Sequence, residues 1–250
     1  MKRRLIAAVA CRNQGSRLYG KPLQNLDVAE SVRIIDNIIA CLQTLPCIEE
    51  VILGISEGVD NEVFKEVARS KGLRYVIGDE IDVLSRLIAC GRLADATDIF
   101  RVTSESPFLY FEEVEELWRV HHARSFDATF MDDVIDGCGF EFIRLDALER
   151  SHEKGERRHR SELCTLYIRE HPEDFKIHKA IPPSALVRKD LRLTVDNPED
   201  LAVCRIVYGR FKNHAPRVPV GEIVAFLDAN PKLIEWIAPY TELGYSTMYR

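Results

Sequence analysis

A short basic stretch with two glycines follows an apolar run near the start of the chain. The residues after LIAAVA are CRNQGSRLYGK, which include the cations Arg12, Arg17 and Lys21. Gly15 and Gly20 let backbone N–H groups approach phosphate oxygens closely, and the cations would neutralise phosphate charge. The pattern is neither the GxxxxGK[ST] loop nor the GxGxxG fingerprint. The stretch therefore fits either a polyphosphate site of another kind or a solvated basic loop.

The elements that must position this stretch alternate between strands and helices. Apolar runs predict strands, and amphipathic spacing predicts helices between them. The predicted strands are 4–11, 49–56, 73–78 and 98–103, and the predicted helices are 30–45, 60–72, 82–94 and 111–125. Such alternation predicts right-handed βαβ units and a mainly parallel α/β sheet. The basic stretch then lies at the carboxyl edge of the sheet, where open α/β folds bind ligands.

The regular alternation weakens after residue 125. FDATFM, GFEFIRL and FKIHKA are short strand candidates, and RLTVDNPEDLAVCRIVYGRF predicts a strand, a turn and a helix, followed by two short helices. We therefore expect one α/β domain over 1–250 with an inserted, partly antiparallel lobe at about 126–185.

Composition restricts the class of protein. The 250 residues carry a net charge of −6 with 46% hydrophobic residues, which disfavours a general binder of nucleic acid or of anionic membranes. The seven cysteines form no C-x-x-C pair, which is typical of free thiols in a reducing cytoplasm. No apolar run is long enough for a membrane span, and the first one lacks the cleavage pattern of a signal peptide. We expect a cytoplasmic protein.

The basic stretch is also the first of several segments that resemble a known family. ACRNQGSRLYGKPLQNL resembles the first motif of the cytidylyltransferases that activate sugars and related acids, roughly A-R-x-G-S-x-R-L-P-G-K-x-L. Arg12, Arg17 and Lys21 stand at matching positions, whereas Tyr19 replaces the usual proline. The branch it resembles is the spore-coat polysaccharide biosynthesis type, which is related to the synthetases for CMP-sialic acid and CMP-Kdo.

Four further segments match that branch in order along the chain. They are GDEIDVLSRL at 78–87, RVTSESPFLY at 101–110, SELCTLYIREHPEDFKI at 161–177 and LRLTVDNPEDL at 191–201. The resemblance implies a three-layer, Rossmann-like nucleotidyltransferase fold of the GT-A-like kind. It also implies an enzyme that transfers CMP from CTP to a sugar, sugar acid or other small acidic acceptor, with release of pyrophosphate, in surface polysaccharide or glycoconjugate biosynthesis.

The resemblance assigns the nucleotide site. Arg12, Arg17 and Lys21 are the implied catalytic residues, because they would hold the β- and γ-phosphates. The residues implied to contact the nucleotide are Ala10, Cys11, Arg12, Gly15, Ser16, Arg17, Lys21, Gly78, Asp82 and Ser104. For Asp82, a plain helix N-cap is an equal alternative.

The implied metal is Mg²⁺, and its ligands are Asp196 and Glu105. Asp196 ends the predicted strand LRLTV, and Asn197 is the better candidate for the helix cap that follows. Glu105 departs from the family's aspartate by one methylene, and Ser104 replaces its glycine. Because magnesium demands tight octahedral geometry, the alternatives are a degraded metal site or one that holds the metal through water.

The implied acceptor site comprises Glu141, Glu162 and Thr165. Ser161 and Leu163 replace an arginine and a histidine of the branch, which suggests a different acceptor or weakened activity. The basic run at 157–160 could bind an acidic acceptor or be a solvated loop. The resemblance also implies a homodimer formed through the inserted lobe, with CTP and a small-molecule acceptor as the other partners.

Two alternative functions stay open. One is a GT-A-like glycosyltransferase, which needs a D-x-D metal motif at a strand end; MDDVID at 131–136 has adjacent acids but not that motif in the right context. The other is a homologue that binds nucleotide but has lost turnover. Preference for CTP over a UDP-sugar tests the first alternative, and pyrophosphate release tests the second.

Overall fold

A central β-sheet organises the chain. The computed structural model describes residues 3–15 and 17–247. The strands are β1 (Leu5–Cys11), β2 (Asn25–Asp27), β3 (Val32–Arg33), β4 (Glu50–Ser56), β5 (Arg74–Gly78), β6 (Asp98–Thr103), β7 (Ala128–Met131), β8 (Phe140–Arg144) and β9 (Ile177–Lys179). The α-helices are α1 (Ile34–Gln43), α2 (Val63–Ser70), α3 (Val83–Leu93), α4 (Val114–Arg124), α5 (Leu145–Lys154), α6 (Leu166–Glu170), α7 (Pro198–Phe211), α8 (Val220–Asp228) and α9 (Pro231–Thr247).

The main sheet has seven strands in the order β5-β4-β1-β6-β8-β7-β9. Strand pairs β5/β4, β4/β1, β1/β6 and β7/β9 are parallel, whereas β8 runs antiparallel to both of its neighbours. β2 and β3 form a separate antiparallel pair. The predicted α/β fold with a mainly parallel sheet is therefore confirmed.

Helices cover both faces of the sheet, which explains why β1 is continuously apolar. Leu5, Ala7 and Val9 join the core beneath α1, α2, α4, α7 and α8, whereas Ile6 and Ala8 join the core beneath α3, α5 and α6. Successive side chains of a strand point to opposite faces, so a strand buried on both sides must be apolar throughout. The result is the three-layer arrangement that the family resemblance implied.

The segment 126–185 adds its strands to the main sheet. β8 pairs with β6, β7 pairs with β8, and β9 forms the far edge. The helices α5 and α6 of this segment were not predicted, and they pack Leu148, Tyr167 and Ile168 into the core under α3. The dimerisation role of the segment stays a prediction.

Two predicted elements differ from the structure. The predicted helix over 30–45 begins only at Ile34, because residues 25–33 form the β2/β3 pair. The predicted strand LRLTV is an extended segment with one isolated bridge, between Arg192 and Asp136. The N–H of Leu193 bonds to the carbonyl of Asp136 and that of Val195 bonds to the carbonyl of Glu105, so no single neighbouring strand supplies a ladder.

Within the residues that the structure describes, no helix combines the length and the apolar character needed to cross a membrane.

Candidate active site

A cleft of about 790 Å³ opens at the carboxyl ends of β1 and β6. The loop after β1 forms one wall, and the residues that follow β6 and β7 form the floor and the opposite wall. Asp196, which precedes α7, completes the lining. This is the edge of the sheet at which the sequence predicted a ligand site.

The cleft brings together most of the predicted site residues. Those that line it are Ala10, Cys11, Arg12, Gly15, Arg17, Lys21, Ser104, Glu105, Glu141, Glu162 and Asp196. Gly78, Asp82 and Thr165 do not line it, and the predicted nucleotide contact Ser16 lies outside the described residues.

The basic loop after β1 is held by its own backbone and by one buried side chain. The N–H of buried Asn13 donates to Asn61 Oδ1 at 2.8 Å, and the Asn13 carbonyl accepts the N–H of Gly20 at 2.9 Å. Gly20 has a φ of 61°, in the left-handed region that favours glycine. A Cβ at Gly15 would lie only 2.4 Å from the Leu18 carbonyl oxygen. The loop therefore needs both glycines to close tightly, which presents its cations to the cleft.

Asp196 is the carboxylate to which the loop cations converge. Its Oδ1 lies 2.6 Å from Lys21 Nζ and 3.1 Å from an Arg17 guanidinium nitrogen, and its Oδ2 accepts from Arg192 at 2.7 Å. Burial alone would raise the pKa of Asp196, but the hydrogen bond from Lys21 and the nearby cationic charges hold it below its usual value. Asp196 is therefore an ionised carboxylate with cations on both oxygens.

A buried cation supports Asp196 from behind. Arg192 is 1% exposed and also lies 3.2 Å from Asp200 and 3.9 Å from Asp136. Asp200 Oδ2 in turn accepts the N–H groups of Asp196 and Asn197. Asn197 occupies the N-cap of α7, as predicted, so the carboxylate of Asp196 is directed to the cleft and is not used as a cap.

Glu105 and Asp136 bring further carboxylates to the same end of the cleft. Glu105 lies beside the Asp196 segment, because its carbonyl accepts the N–H of Val195 at 3.1 Å. Burial raises the pKa of Asp136 to about 6; Arg192 opposes this rise, and the negative charges of Asp196, Asp200 and Glu105 add to it. The sequence prediction did not include Asp136.

These carboxylates fit a magnesium ion that is shared with a phosphate ligand. Mg²⁺ prefers hard oxygen ligands and is usually bound by one or two carboxylates together with water and substrate phosphates. Glu105 and Asp196 supply two such groups at one end of the cleft. In the described part of the chain, no group of three or more histidine, cysteine, aspartate or glutamate side chains is arranged to hold a metal by itself. Glu105 and Asp196 are therefore donors of the type that would hold Mg²⁺ together with water and phosphate oxygens of a ligand.

The opposite wall contains a buried ion network centred on Glu141. Glu141 is 3% exposed and pairs with Arg101 at 2.9 Å and Arg169 at 2.7 Å, and Thr165 donates to it at 2.7 Å. Burial would raise the pKa of Glu141, but the two arginines lower it below its usual value. Arg169 also contacts Asp132 at 2.6 Å. Thr165 thus supports the wall from behind.

The third predicted acceptor residue, Glu162, lies at the mouth of the cleft. Its side chain is 71% exposed and pairs with Arg12 at 2.8 Å. Because Arg101 also donates to the Glu162 backbone carbonyl at 2.8 Å, the segment before α6 is tied to both sides of the cleft.

Asp82 and Gly78 contact residues of α3 and do not line the cleft. Asp82 accepts the N–H of Ser85 at 2.8 Å and contacts His152 at 2.7 Å, so the N-cap alternative describes what the structure shows. A Cβ at Gly78 would lie 2.8 Å from Cγ of Arg86, which means that glycine makes room for that side chain. Arg86 itself lines the cleft.

Comparison with known proteins supports the resemblance seen in the motifs. No protein-family model matches the chain. The chain is 25% identical over 232 residues to the uncharacterized protein MJ1063 of Methanocaldococcus jannaschii, which covers 92% of this chain and 93% of that protein. It is 23% identical over 240 residues to the spore coat polysaccharide biosynthesis protein SpsF of Bacillus subtilis, and the aligned region covers 91% of this chain and 95% of SpsF.

Solved structures of nucleotidyltransferases share the fold. A cytidylyltransferase from Leptospira borgpetersenii superposes with a TM-score of 0.84 at 18% identity, over 93% of this chain and 97% of that one. A CMP:2-keto-3-deoxy-manno-octonic acid synthetase complexed with CTP superposes with a TM-score of 0.61 at 14% identity, over 83% and 99% of the two chains. The architecture is therefore the Rossmann-like fold of nucleotidyltransferases. The predicted resemblance to the cytidylyltransferases is confirmed, and the predicted enzyme class agrees with these neighbours.

Proposed function

We propose that this protein is a CTP-dependent cytidylyltransferase that transfers CMP to a sugar, sugar acid or other small acidic acceptor and releases pyrophosphate, in surface polysaccharide or glycoconjugate biosynthesis. The observation that carries the proposal is the placement of Arg12, Arg17 and Lys21 along one cleft that ends at Asp196. The likeness to SpsF and to a synthetase that was solved with CTP supports the choice of nucleotide and pathway.

The loop cations suit the leaving group of this reaction. An acceptor oxygen attacks the α-phosphorus, the bond from that phosphorus to the oxygen bridging to the β-phosphate breaks, and pyrophosphate departs with the electron pair. Arg17 and Lys21 stabilise the negative charge that develops on pyrophosphate, and Arg12 extends the positive surface towards the cleft mouth. Holding the groups in line supplies the remaining rate enhancement.

Magnesium held by Glu105 and Asp196 would neutralise phosphate charge at the point of transfer. Asp196 would change its partners when the nucleotide binds. In the structure its Oδ1 accepts Lys21 and faces Arg17, so a bound triphosphate takes over these cations and leaves that oxygen available. Arg192 holds the other oxygen and fixes the orientation of the carboxylate.

The wall around Glu141 suits a polar acceptor. Arg101, Asp132 and Glu141 line the cleft with their charges largely balanced by one another and by Arg169. Such a wall offers both donors and acceptors to hydroxyl groups, as a polyhydroxylated ligand requires. A homodimer and a cytoplasmic location belong to the same proposal.

Pyrophosphate release from CTP tests the function. Purified protein is incubated with Mg²⁺, CTP and a panel of sugars and sugar acids, and UTP, ATP and UDP-sugars replace CTP in parallel. We expect pyrophosphate release with CTP and at least one acceptor, and we expect Lys21→Met to abolish it. Lys65→Met is the matched control, because Lys65 lies on α2 and pairs with Glu62 outside the cleft.

The outcomes separate the alternatives. If the protein hydrolyses a UDP-sugar or transfers its sugar, and releases no pyrophosphate from CTP, the result would contradict the proposal and support a glycosyltransferase. CTP binding without turnover on any acceptor would support a homologue that binds nucleotide but no longer transfers it.

A further inference from the structure

Arg86 differs from the other cations of the cleft in its electrostatic environment. Among the residues that the structure describes, five arginines and lysines line the cleft: Arg12, Arg17, Lys21, Arg86 and Arg101. Four of these have carboxylate partners, which are Glu162, Asp196 and Glu141. In the described part of the chain, Arg86 forms no ion pair.

The chain holds Arg86 in place with neutral groups only. Its Nη1 donates to the carbonyl of Cys11, the last residue of β1, at 3.2 Å and to the carbonyl of Gly54, within β4, at 3.0 Å. Its Nε is buried and has no hydrogen-bond partner. The guanidinium is therefore oriented by the backbone, and part of its donor capacity is unused.

Gly78 makes room for the side chain of Arg86. A Cβ at Gly78 would lie 2.8 Å from Arg86 Cγ, whereas a Cβ at Gly54 would lie 3.5 Å from Arg86 Cβ, which is an ordinary contact distance. Arg86 is 1% exposed in this cradle. The side chain thus forms part of the cleft floor, near the carboxyl ends of β1, β4 and β5.

A buried cation without a counter-ion is costly. Desolvation disfavours its charge, and burial lowers the pKa of Arg86, although arginine stays protonated in proteins. The neighbouring cation Arg12 adds to this disfavour. The carboxylate of the exposed Asp79 accepts hydrogen bonds from the N–H groups of Ile81 and Asp82, which lower its pKa, and the charge of Arg86 lowers that pKa further. Among the residues that the structure describes, no carboxylate therefore lies within ion-pair distance of Arg86.

We propose that Arg86 and Arg12 form an oxyanion subsite of the cleft, which a negatively charged oxygen group of a ligand completes. The subsite is distinct from the place where Arg17 and Lys21 meet Asp196, since Arg12 pairs across the cleft with Glu162. Two sources supply such an oxygen group: a phosphate of the nucleotide, or the acid group of the acceptor. Naming these two sources rests on the proposed function, whereas the anion subsite itself does not.

Calorimetric titration of simple probes tests the subsite. Pyrophosphate, CTP and cytidine are titrated onto wild type, Arg86→Met and Arg86→Lys, and inorganic phosphate is titrated onto the free and the CTP-saturated protein. Arg92→Met is the matched control, because Arg92 lies on the same helix and pairs with Glu149 outside the cleft. Thermal unfolding of each variant without ligand shows which of them fold.

If a nucleotide phosphate supplies the oxygen group, pyrophosphate and CTP should bind about 10–100-fold more weakly to Arg86→Met, because a charge-assisted hydrogen bond to a buried group is lost, and cytidine binding should not change. If the acid group of the acceptor supplies it, inorganic phosphate should still bind the CTP-saturated wild type, and this binding should be lost in Arg86→Met. Arg86→Lys keeps the charge without the fork, so we expect an intermediate loss in either case.

Three results would overturn the subsite. They are unchanged binding of every anion in Arg86→Met, an equal loss of cytidine and CTP, or an equal loss in Arg92→Met. If Arg86→Met does not fold, the same criteria apply to Arg86→Lys. Failure of the proposed function is a separate result: pyrophosphate or phosphate would bind in an Arg86-dependent way, but CTP would show no advantage over other nucleotides.

Discussion

Replacement of Asp196 by asparagine should have opposite effects on ligand binding with and without magnesium. The carboxylate faces Lys21 at 2.6 Å and Arg17 at 3.1 Å, so it competes with a triphosphate for the same two cations. Asparagine is nearly isosteric but neutral, and Arg192 keeps Asp200 and Asp136 as partners. The variant should therefore fold with the cleft cations released.

The magnitude follows from the two contacts. Each partly buried ion pair contributes about 1 kcal/mol net, so release of both should tighten metal-free binding of pyrophosphate by about 2 kcal/mol, or roughly 30-fold. With magnesium the sign reverses, because Asp196 is a proposed metal ligand. The increase in CTP affinity that Mg²⁺ produces in the wild type should be lost.

The assay is calorimetric titration of pyrophosphate with a chelator present and of CTP with Mg²⁺ present. Asp190→Asn is the control, because Asp190 pairs with Arg188 and does not line the cleft. Equal or weaker metal-free binding in Asp196→Asn would refute the reasoning that this carboxylate occupies the triphosphate cations.

Two further predictions concern stability. The pKa of Asp136 is raised to about 6 in the folded protein, so ionisation of this carboxyl destabilises the fold at pH values above its pKa in the unfolded chain. Asparagine does not ionise. As the pH rises from about 4 to 7, the free energy of unfolding of Asp136→Asn should therefore increase relative to wild type by about 2–3 kcal/mol. Urea unfolding at several pH values measures this difference, and a pH-independent difference would contradict it. Glu141→Gln should destabilise the fold by about 3–5 kcal/mol, because it leaves Arg101 and Arg169 without full compensation, whereas Glu162→Gln at an exposed pair should cost less than about 1 kcal/mol. Equal decreases in the free energy of unfolding of the two glutamate variants would contradict the prediction that the buried ion pairs of Glu141 stabilise the fold.

The first half of the fold was predictable because its signals are local. β1, β4, β5 and β6 are apolar runs separated by amphipathic helices, and each of these elements forms close to its predicted place. The second half was harder to predict because its strands are short and one of them is antiparallel. LRLTV has the apolar alternation of a strand, but in the structure its N–H groups bond to carbonyls of two different segments.

The lining of the cleft was predictable where a motif is continuous in sequence. The glycines and cations between residues 11 and 21 predicted a basic loop at this edge of the sheet by type and spacing, and its binding of phosphate stays a prediction. Arg86 and Arg192 lie within matched segments and Asp136 does not, but the surroundings of all three could not be predicted from the sequence, since they arise from burial and from contacts between separate segments. Arg192 could be recognised only after Asp136, Asp196 and Asp200 had been brought around it. Gly78 was placed at the nucleotide by motif, whereas its structural reason is the side chain of Arg86.

The most direct test of the central claim is calorimetric titration of CTP, UTP and ATP with Mg²⁺ onto wild type and Arg17→Ala. Arg119→Ala serves as the control, because Arg119 is an exposed residue of α4 that pairs only with Glu116 among the described contacts. We expect selective binding of CTP that is at least about 10-fold weaker in Arg17→Ala and unchanged in Arg119→Ala. Equal binding of the three nucleotides, or no effect of Arg17→Ala on CTP, would contradict a cytidylyltransferase whose basic loop holds the triphosphate.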